Sequence, residues 1–134
     1  MLKYAPEASN IRMQVEVPAD LYLDTDRNRL KVILSNLISN SIRYHDATKQ
    51  DKYIRLRYEE NAKFFYLMVE DNGQGIDPAY HQRIFEMFFR ANELSKGSGL
   101  GLYIVKESLE KLSGSIHLES RPGEGTVFRV AFPA

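Results

Sequence analysis

The sequence lacks cysteine, long apolar runs and an excess of charge of either sign. Without cysteine, neither a disulfide framework nor a zinc–thiolate site can form. Lysine plus arginine and aspartate plus glutamate both number 18, so the net charge favours neither a nucleic-acid partner nor a membrane surface. No apolar run approaches the roughly 20 residues of a membrane-spanning helix, and no signal peptide opens the chain. We therefore expect a cytoplasmic domain, whether or not its parent protein is anchored in a membrane.

The length of 134 residues suits one domain with one sizeable core. Hydrophobic residues make up 43% and charged residues 27%, which is ordinary for a globular protein. The opening residues, from Met1 to Pro6, resemble the end of a helix more than a natural start. We therefore expect residues 1–10 to be the tail of an upstream helical hairpin or a linker. Residues 11–134 would then form one domain cut from a longer protein.

Apolar periodicity predicts the order of the secondary structure. Alternation from Ile11 to Val17 indicates a half-buried strand. The later segments are a helix capped within residues 24–26, a strand hairpin at 54–58 and 64–69, a helix opened by Asp77-Pro78, a helix from Leu102 to a stop at Gly114, and strands at 116–118 and 128–132. Because strands pair as hairpins instead of alternating with helices, we predict an α+β fold. It would be a two-layer sandwich, with three helices on one face of a mixed, mostly antiparallel sheet of about five strands.

Two glycine-rich stretches stand out. Asp71-Asn72-Gly73-Gln74-Gly75-Ile76 ends the most apolar strand, where a carboxylate followed by glycines can sit at the mouth of a pocket. An ordinary turn explains the same residues. Gly97-Ser98-Gly99-Leu100-Gly101-Leu102 leads into a helix, and such a loop presents free N–H groups and a positive dipole end to a phosphate. Neither stretch matches the P-loop or dinucleotide fingerprints.

A third pattern lies on the first helix. Asn36, Asn40 and Arg43 share one face, with Tyr44 beside them. Asparagine is a poor helix former, so something other than helix propensity favours it there. Both a binding face and an ordinary solvated surface agree with this pattern.

Taken together, five segments in fixed order resemble the ATP-binding catalytic domain of sensor histidine kinases, within the gyrase, Hsp90, histidine kinase and MutL group. They are residues 36–44 (N box), 71–75 (first glycine box), 85–90 (F box), 97–102 (second glycine box) and the terminal Gly-x-Gly-Thr-x-Phe at 123–128. The resemblance covers residues 11–132 and implies the Bergerat-type ATP-binding fold, with ATP and Mg²⁺ as cofactors.

The resemblance also implies roles for single residues. Asp71 would accept a hydrogen bond from the adenine amino group, and Asn40 would ligate Mg²⁺ through its amide oxygen. Asn36 would orient the phosphates or a metal-bound water, Arg43 would offset phosphate charge, and Tyr44 would pack on the base or sugar. The catalytic set would therefore be Asn36, Asn40 and Arg43.

The remaining nucleotide-binding positions implied by the resemblance lie in the glycine boxes and the last strand. They are Gly73, Gly75, Ile76, Gly97, Ser98, Gly99, Leu100, Gly101, Leu102 and Thr126, the last of which would support Asp71. Phe88 and Arg90 would lie in a lid between Ile76 and Gly97, which we expect to be mobile without nucleotide.

One departure bears on the reaction. Hydrolysing members of the larger group carry a water-activating glutamate four residues before the metal-binding asparagine, and here that position is Asn36. An amide cannot act as a base, which favours phosphoryl transfer to a protein over rapid hydrolysis. Smaller departures are Ser41 for alanine, Ser98 for threonine and Met87 for proline.

The resemblance implies transfer of the γ-phosphate to a histidine on a separate dimerisation hairpin that this chain lacks, with a response regulator downstream. No nucleic-acid partner is expected, and the isolated domain would be monomeric within a homodimeric parent. His45-Asp46 superficially resembles an acceptor, but a helix C-terminal cation explains it better. Two alternatives stay open: a serine kinase of the anti-sigma-factor type, and a non-catalytic nucleotide-binding docking module.

Overall fold

A computed structural model describes residues 10–21, 23–87, 89 and 99–134. These residues form one five-stranded sheet and two α-helices that share a single core. The elements are β1 (Ile11–Glu16), α1 (Arg27–Arg43), β2 (Lys52–Glu60), β3 (Phe64–Asp71), α2 (Gly101–Lys111), β4 (Ser115–Arg121) and β5 (Gly125–Pro133), with a short 3-10 helix at Pro78–Tyr80. The predicted α+β class and the five-stranded sheet are confirmed. Residues 1–9, for which we predicted an upstream tail, lie outside the described residues.

The sheet has the strand order β1-β2-β3-β5-β4. Strand β1 runs parallel to β2, and the other neighbours are antiparallel, as predicted for a mostly antiparallel mixed sheet. The register places Asp71, the last residue of the central strand β3, between Ile54 of β2 and Thr126 of β5. The acidic residue therefore has a strand on each side.

The core lies between the helices and one face of the sheet. Alternate residues of β3 and β5 supply its sheet side, among them Leu67, Val69 and Phe128, all nearly inaccessible to solvent. Leu37 of α1 and Leu109 of α2 are equally buried against them. The helical and two-residue periodicities of the sequence thus mark the buried faces correctly.

The predicted cap of the first helix is also confirmed. The side chain of Asp26 accepts hydrogen bonds from the backbone N–H groups of Asn28 (3.0 Å) and Arg29 (3.1 Å). These bonds satisfy two donors that the first turn of a helix leaves unpaired. Neither α-helix of the described residues has the length and hydrophobicity needed to span a membrane.

The prediction of a third α-helix after Asp77-Pro78 is wrong for the part of the chain that the structure describes. The side chain of Asp77 does cap a turn by accepting the Ala79 N–H at 2.9 Å, but only the 3-10 helix follows, and residues 81–87 form turns. His81 Nε2 lies 2.9 Å from the Ile76 carbonyl oxygen, and the Phe85 ring packs edge-on against Phe128. The Phe85–Phe128 contact joins distant segments, and tertiary packing of this kind outweighs local helix propensity.

Two smaller expectations need correction. Strand β1 lies at the sheet edge, so Val15 is 64% exposed although its alternation predicted a half-buried strand. At the end of α2 the left-handed residue is Ser113 (φ 57°), not Gly114. Gly114 is required for another reason, since a Cβ there would lie 2.7 Å from the Ala131 carbonyl oxygen.

Candidate functional site

A cleft opens between α1, the loop that follows β3, and the N-terminus of α2. Eleven predicted site residues line it: Asn36, Asn40, Arg43, Tyr44, Asp71, Gly75, Ile76, Gly99, Gly101, Leu102 and Thr126. The structure therefore brings together side chains that are up to ninety positions apart in the sequence. Gly73 and Leu100 do not line the cleft, and Gly97 and Ser98 lie outside the described residues, as do Phe88, Arg90 and residues 91–96 of the predicted lid.

Asp71 is the buried acid of this cleft, with 8% of its surface exposed. Its Oδ1 accepts a hydrogen bond from the Gly73 backbone N–H at 2.9 Å, and its Oδ2 accepts one from the Ser41 hydroxyl at 2.7 Å. Burial raises the pKa of this carboxyl, whereas those two donors, the Thr126 backbone N–H and the charge of Lys49 act to lower it. Burial thus disfavours the charged form of Asp71, whereas its hydrogen bonds favour that form.

The glycines after Asp71 are required by close packing of the backbone. A Cβ on Gly73 would lie 2.6 Å from the Tyr44 carbonyl oxygen, at the end of α1. Gly75 has φ +75°, and a Cβ there would lie 1.9 Å from the Arg121 carbonyl oxygen in β4. Only glycine allows this loop to pass between α1 and β4. These close contacts support the prediction that residues 71–76 border a pocket, and they argue against an ordinary exposed turn.

Hydrogen bonds join the loop after β3 to the end of α1 and to the turn between β4 and β5. The Gln74 N–H donates to the Tyr44 carbonyl oxygen at 2.9 Å, and its own carbonyl oxygen accepts the Gly123 N–H at 2.7 Å. Lys49 Nζ donates to the carbonyl oxygens of Asn72 (2.7 Å) and Gly123 (2.8 Å). Sequence analysis missed Lys49, because a lysine in a polar loop carries no local signal of these distant partners.

The polar face of α1 points into the cleft. Asn40 is 8% exposed, and its side-chain amide makes no hydrogen bond to another described residue. Asn36 Nδ2 donates to the Val32 carbonyl oxygen at 2.8 Å, which leaves its Oδ1 near Gly101. Arg43 is half-buried and has no ion pair within the described ranges. An amide and a cation that line one cleft without a partner among the described residues favour an anionic or metal-bearing ligand over a solvated surface.

The N-terminus of α2 closes the other end of the cleft. The helix begins at Gly101 and has no side-chain cap, and Gly99 before it adopts φ +77°. Uncapped N–H groups and the positive end of the helix dipole together favour a negatively charged group. A Cβ on Gly101 would lie 3.2 Å from Asn36 Oδ1, so the glycine also permits close approach of α1 and α2.

Comparison with known proteins identifies the family. The sequence profile of the histidine kinase-, DNA gyrase B- and HSP90-like ATPases matches residues 25–134, most of the chain. The chain belongs to this family. Its resemblance to the ATP-binding catalytic domain of sensor histidine kinases, drawn above from five motifs, is confirmed by the relatives and structures that follow.

Similar curated proteins are bacterial sensor kinases. The chain is 36% identical over 109 residues to a probable C4-dicarboxylate sensor kinase of Bacillus subtilis, covering 81% of this chain and 20% of that protein. It is 35% identical over 136 residues to the sensor-like histidine kinase SenX3 of Mycobacterium tuberculosis, covering 98% of this chain and 32% of SenX3. The chain therefore spans between a fifth and a third of the length of these relatives.

Solved structures show the same fold. The catalytic domain of the histidine kinase ThkA is 32% identical, with a TM-score of 0.76 over 92% of this chain and 80% of that domain. Full-length ShkA in complex with AMPPNP is 26% identical, with a TM-score of 0.80 over 96% of this chain and 27% of ShkA. The chain is thus a member of this ATPase family that resembles the catalytic domains of sensor histidine kinases.

Sequence analysis overlooked a serine that joins three parts of the site. Ser120 Oγ in β4 accepts the Ile76 N–H at 2.8 Å, donates to the Gly125 carbonyl oxygen at 2.8 Å, and lies 2.9 Å from Thr126 Oγ1. It connects the loop after β3 to the start of β5, directly beside Asp71. No motif marks this residue, since its three partners meet only in the folded sheet.

Other residues of the cleft were also outside the prediction. Ser39, Gln74, Asp77, Tyr80, Ile84 and Phe89 line it as well. Tyr80 and Phe89, both within the predicted lid segment, pack with ring centroids 5.7 Å apart and form an aromatic wall. The sequence does not mark this wall, because the spacing of two aromatic residues does not reveal which cavity they border.

Proposed function

We propose that this domain binds Mg·ATP in the cleft and presents the γ-phosphate to a histidine on a separate dimerisation hairpin. The observation that carries the proposal is the placement of three groups in one cleft: a buried carboxylate, the amide of Asn40, and a helix N-terminus with no side-chain cap among the described residues. Such a cleft offers an acceptor for a base and a positively polarised end for phosphates.

Asp71 is the proposed partner of the adenine amino group. Its carboxylate can accept a further N–H, whereas guanine carries a carbonyl oxygen at the equivalent ring position and would meet the carboxylate with repulsion. Tyr44 and Ile76 also line the cleft and would contact the base or sugar. Thr126, opposite Asp71 in the strand register, would support the acid from β5.

The phosphates would extend toward Gly99, Gly101 and Leu102 at the start of α2. Arg43 would offset their charge, and Asn36 would orient them through the Oδ1 that its bond to Val32 leaves free. Asn40 fits Mg²⁺, because its side-chain amide lines the cleft, lacks a partner among the described residues and provides the hard neutral oxygen that this ion prefers. When bound, Mg²⁺ would neutralise charge on the phosphate oxygens.

Asn36 also favours transfer over hydrolysis. Its Nδ2 is held by the Val32 carbonyl oxygen, and an amide has no basic site with which to deprotonate water. The proposed acceptor is therefore a protein histidine, supplied by a dimerisation hairpin of a homodimeric parent and followed by a response regulator. The names of the relatives support this assignment, since they are sensor kinases several times longer than this chain.

Isothermal titration tests the proposal. The domain is titrated with a non-hydrolysable ATP analogue, with and without Mg²⁺, and with the matching GTP analogue. We expect adenine-selective binding that Mg²⁺ strengthens, and Asn40→Ala should remove the Mg²⁺ dependence while leaving the preference for adenine. Absence of binding to any adenine nucleotide would contradict the proposal and favour a docking module that has kept only the fold.

A second assay tests the acceptor. The domain is incubated with Mg·ATP and a separately expressed histidine-bearing hairpin from a similar sensor kinase. Acid-labile, base-stable phosphate on the hairpin is the expected product. Acid-stable phosphate on a serine of a partner protein would instead favour the anti-sigma-factor type of kinase.

A further inference from the structure

Ser120 is placed to fix the direction of one proton beside the proposed base site. It lies in β4 opposite Thr126 of β5, and Thr126 in turn lies opposite Asp71 of β3, so the three residues form a row across neighbouring strands. Asp71 and Thr126 line the cleft and are only 8% and 6% exposed. Ser120 does not line the cleft, so it can act on a ligand only through its neighbours.

The hydrogen bonds of Ser120 determine which side chain donates. A hydroxyl group has one hydrogen to donate and two lone pairs with which to accept. Ser120 Oγ has three polar neighbours: the Gly125 carbonyl oxygen at 2.8 Å, the Ile76 N–H at 2.8 Å and Thr126 Oγ1 at 2.9 Å. A carbonyl oxygen can only accept, so the Ser120 proton is directed at Gly125. The two lone pairs then accept from the Ile76 N–H and from Thr126. The Thr126 hydroxyl is therefore the donor in the bond between the two side chains.

The Thr126 hydroxyl consequently presents only lone pairs to the cleft, because its single proton is directed at Ser120. Asp71 is an acceptor beside it. The Gly73 N–H donates to Oδ1 of this carboxylate and the Ser41 hydroxyl donates to Oδ2, which leaves lone pairs for a ligand. Two neighbouring acceptors thus border this part of the cleft.

We propose that Ser120 is a positioning residue that keeps Thr126 an acceptor, so that Thr126 and Asp71 together select a primary amino group on the base. This inference rests on the proposed function, in which Asp71 binds the base. A primary amino group has two N–H donors, one for each acceptor, either directly or through a bridging water. A ring nitrogen in the same place would meet lone pairs, and an unpaired buried acceptor is unfavourable. Without Ser120, the Thr126 hydroxyl can turn and donate to such a nitrogen.

Two ligands separate these arrangements. ADP carries the amino group, whereas the diphosphate of purine riboside has hydrogen in its place and offers ring nitrogens but no N–H donor at that edge. Displacement of a fluorescent ADP analogue gives the dissociation constant of each ligand. The ratio of the two constants, purine riboside diphosphate over ADP, measures the contribution of the amino group. It also cancels losses common to both ligands, such as a shift of the loop that Ile76 joins to Ser120.

The first variant is Ser120→Ala, which should lower this ratio by about fivefold, the effect of one neutral hydrogen bond. Ser120→Thr keeps the hydroxyl and suits a strand, so it should keep the wild-type ratio. Ser115→Ala, the same change at an exposed position of β4, is the matched control and should also match wild type. Thermal unfolding of each variant reports whether the fold is kept.

Thr126→Val, made in both backgrounds, reports the direction of the proton. With Ser120 present, it should weaken ADP and leave the affinity for purine riboside diphosphate unchanged, because an acceptor is lost. In the Ser120→Ala background it should weaken purine riboside diphosphate, because a donor is lost. A purely structural role for Ser120 would not make the effect of Thr126→Val depend on the ligand in this way.

An unchanged ratio in folded Ser120→Ala would overturn the inference, as would equal losses of both ligands in Thr126→Val. Purine riboside diphosphate that displaces the analogue from neither wild type nor Ser120→Ala would also contradict it. If Ser120→Ala does not fold, Thr126→Val alone decides by its effects on the two ligands. Failure of wild type to bind ADP would contradict the proposed function instead.

Discussion

Two acidic neighbours, Glu70 and Asp71, have opposite environments because successive residues of a strand face opposite sides of the sheet. Glu70 lies on the face away from the helices, where it pairs with Arg55 (3.0 Å) and Arg57 (3.1 Å). Asp71 faces the cleft, where its nearest partners are hydroxyl and backbone donors. At the scale of single residues, burial and the type of partner distinguish the two carboxylates. Glu70 forms ion pairs and is structural, whereas Asp71 is the candidate binding residue.

Replacing Asp71 by asparagine should weaken adenine nucleotide binding by roughly 10- to 100-fold, since a hydrogen bond to a charged acceptor is replaced by one to a neutral amide. Titration calorimetry with ADP measures the change. Glu70→Gln is the matched control, because it removes the neighbouring charge outside the cleft and should leave ADP affinity near wild type. Full ADP affinity in Asp71→Asn would show that the acid does not bind the base.

Asp71 should also affect the pH dependence of folding stability. Burial raises its pKa in the folded state, so between the unfolded and folded pKa values the native protein binds more protons than the unfolded chain. The contribution of this group to the free energy of unfolding therefore falls as pH rises through that interval, and stays low above it.

Urea unfolding of wild type and Asp71→Asn, from about pH 3 to about pH 7, measures this contribution. The difference in unfolding free energy, wild type minus variant, should decrease as the pH rises. A difference that increases with pH would mean that the hydrogen bonds to Asp71 outweigh its burial.

At the scale of elements, the loop after β3 is the part of the site most constrained by its neighbours. It is bonded to Tyr44 at the end of α1 and to Gly123 in the β4–β5 turn, and Ser120 of β4 accepts its Ile76 N–H. Three separate elements thus determine where Asp71 and the following backbone lie. We expect changes here to alter stability and binding together.

Gly75→Ala and Gly123→Ala form a matched pair, since both glycines have positive φ (75° and 79°). A Cβ on Gly75 would meet the Arg121 carbonyl oxygen at 1.9 Å, whereas a Cβ on Gly123 would meet no atom within 4 Å. Gly123→Ala should cost about 1–2 kcal/mol from backbone strain alone. Gly75→Ala should cost clearly more, because the β4 backbone must also move.

Urea unfolding gives both free energies, and ADP titration follows binding. ADP affinity should fall for Gly75→Ala and stay near wild type for Gly123→Ala. Equal destabilisation of the two variants would show that close packing against β4 does not determine the position of the loop.

At the scale of the whole molecule, the cleft is built from α1, β3, β5 and α2, so a ligand within it contacts elements from both ends of the chain. Ligand binding should therefore stabilise the entire fold. At 100 times its dissociation constant, Mg·ADP should add about 2.7 kcal/mol to the free energy of unfolding. Thermal unfolding with increasing Mg·ADP measures this effect, with EDTA to remove Mg²⁺ and Mg·GDP as a nucleotide control. A melting temperature that does not respond to Mg·ADP would indicate a cleft that binds no nucleotide.

Motifs and periodicity together predicted most of the site, because the residues of each box are close in sequence. Asn36, Asn40 and Arg43 share a helix face by spacing alone, and the acid and glycines after β3 are contiguous. Local rules failed where a distant contact decides the conformation. Asp77 begins a turn as predicted, but the packing of Phe85 on Phe128 joins residues distant in sequence and is not encoded locally.

The sequence by itself determined the family, the α+β class, the buried faces of α1, β3 and β5, and most of the polar residues that line the cleft. These follow from periodicity, capping and motif order, all of which are properties of neighbouring residues. Only the tertiary structure decided that Ser41 and Ser120 belong to the site and that Gly75 passes against β4. Hydrogen bonds and close contacts between distant segments depend on strand register and helix packing, and these exist only once the chain has folded.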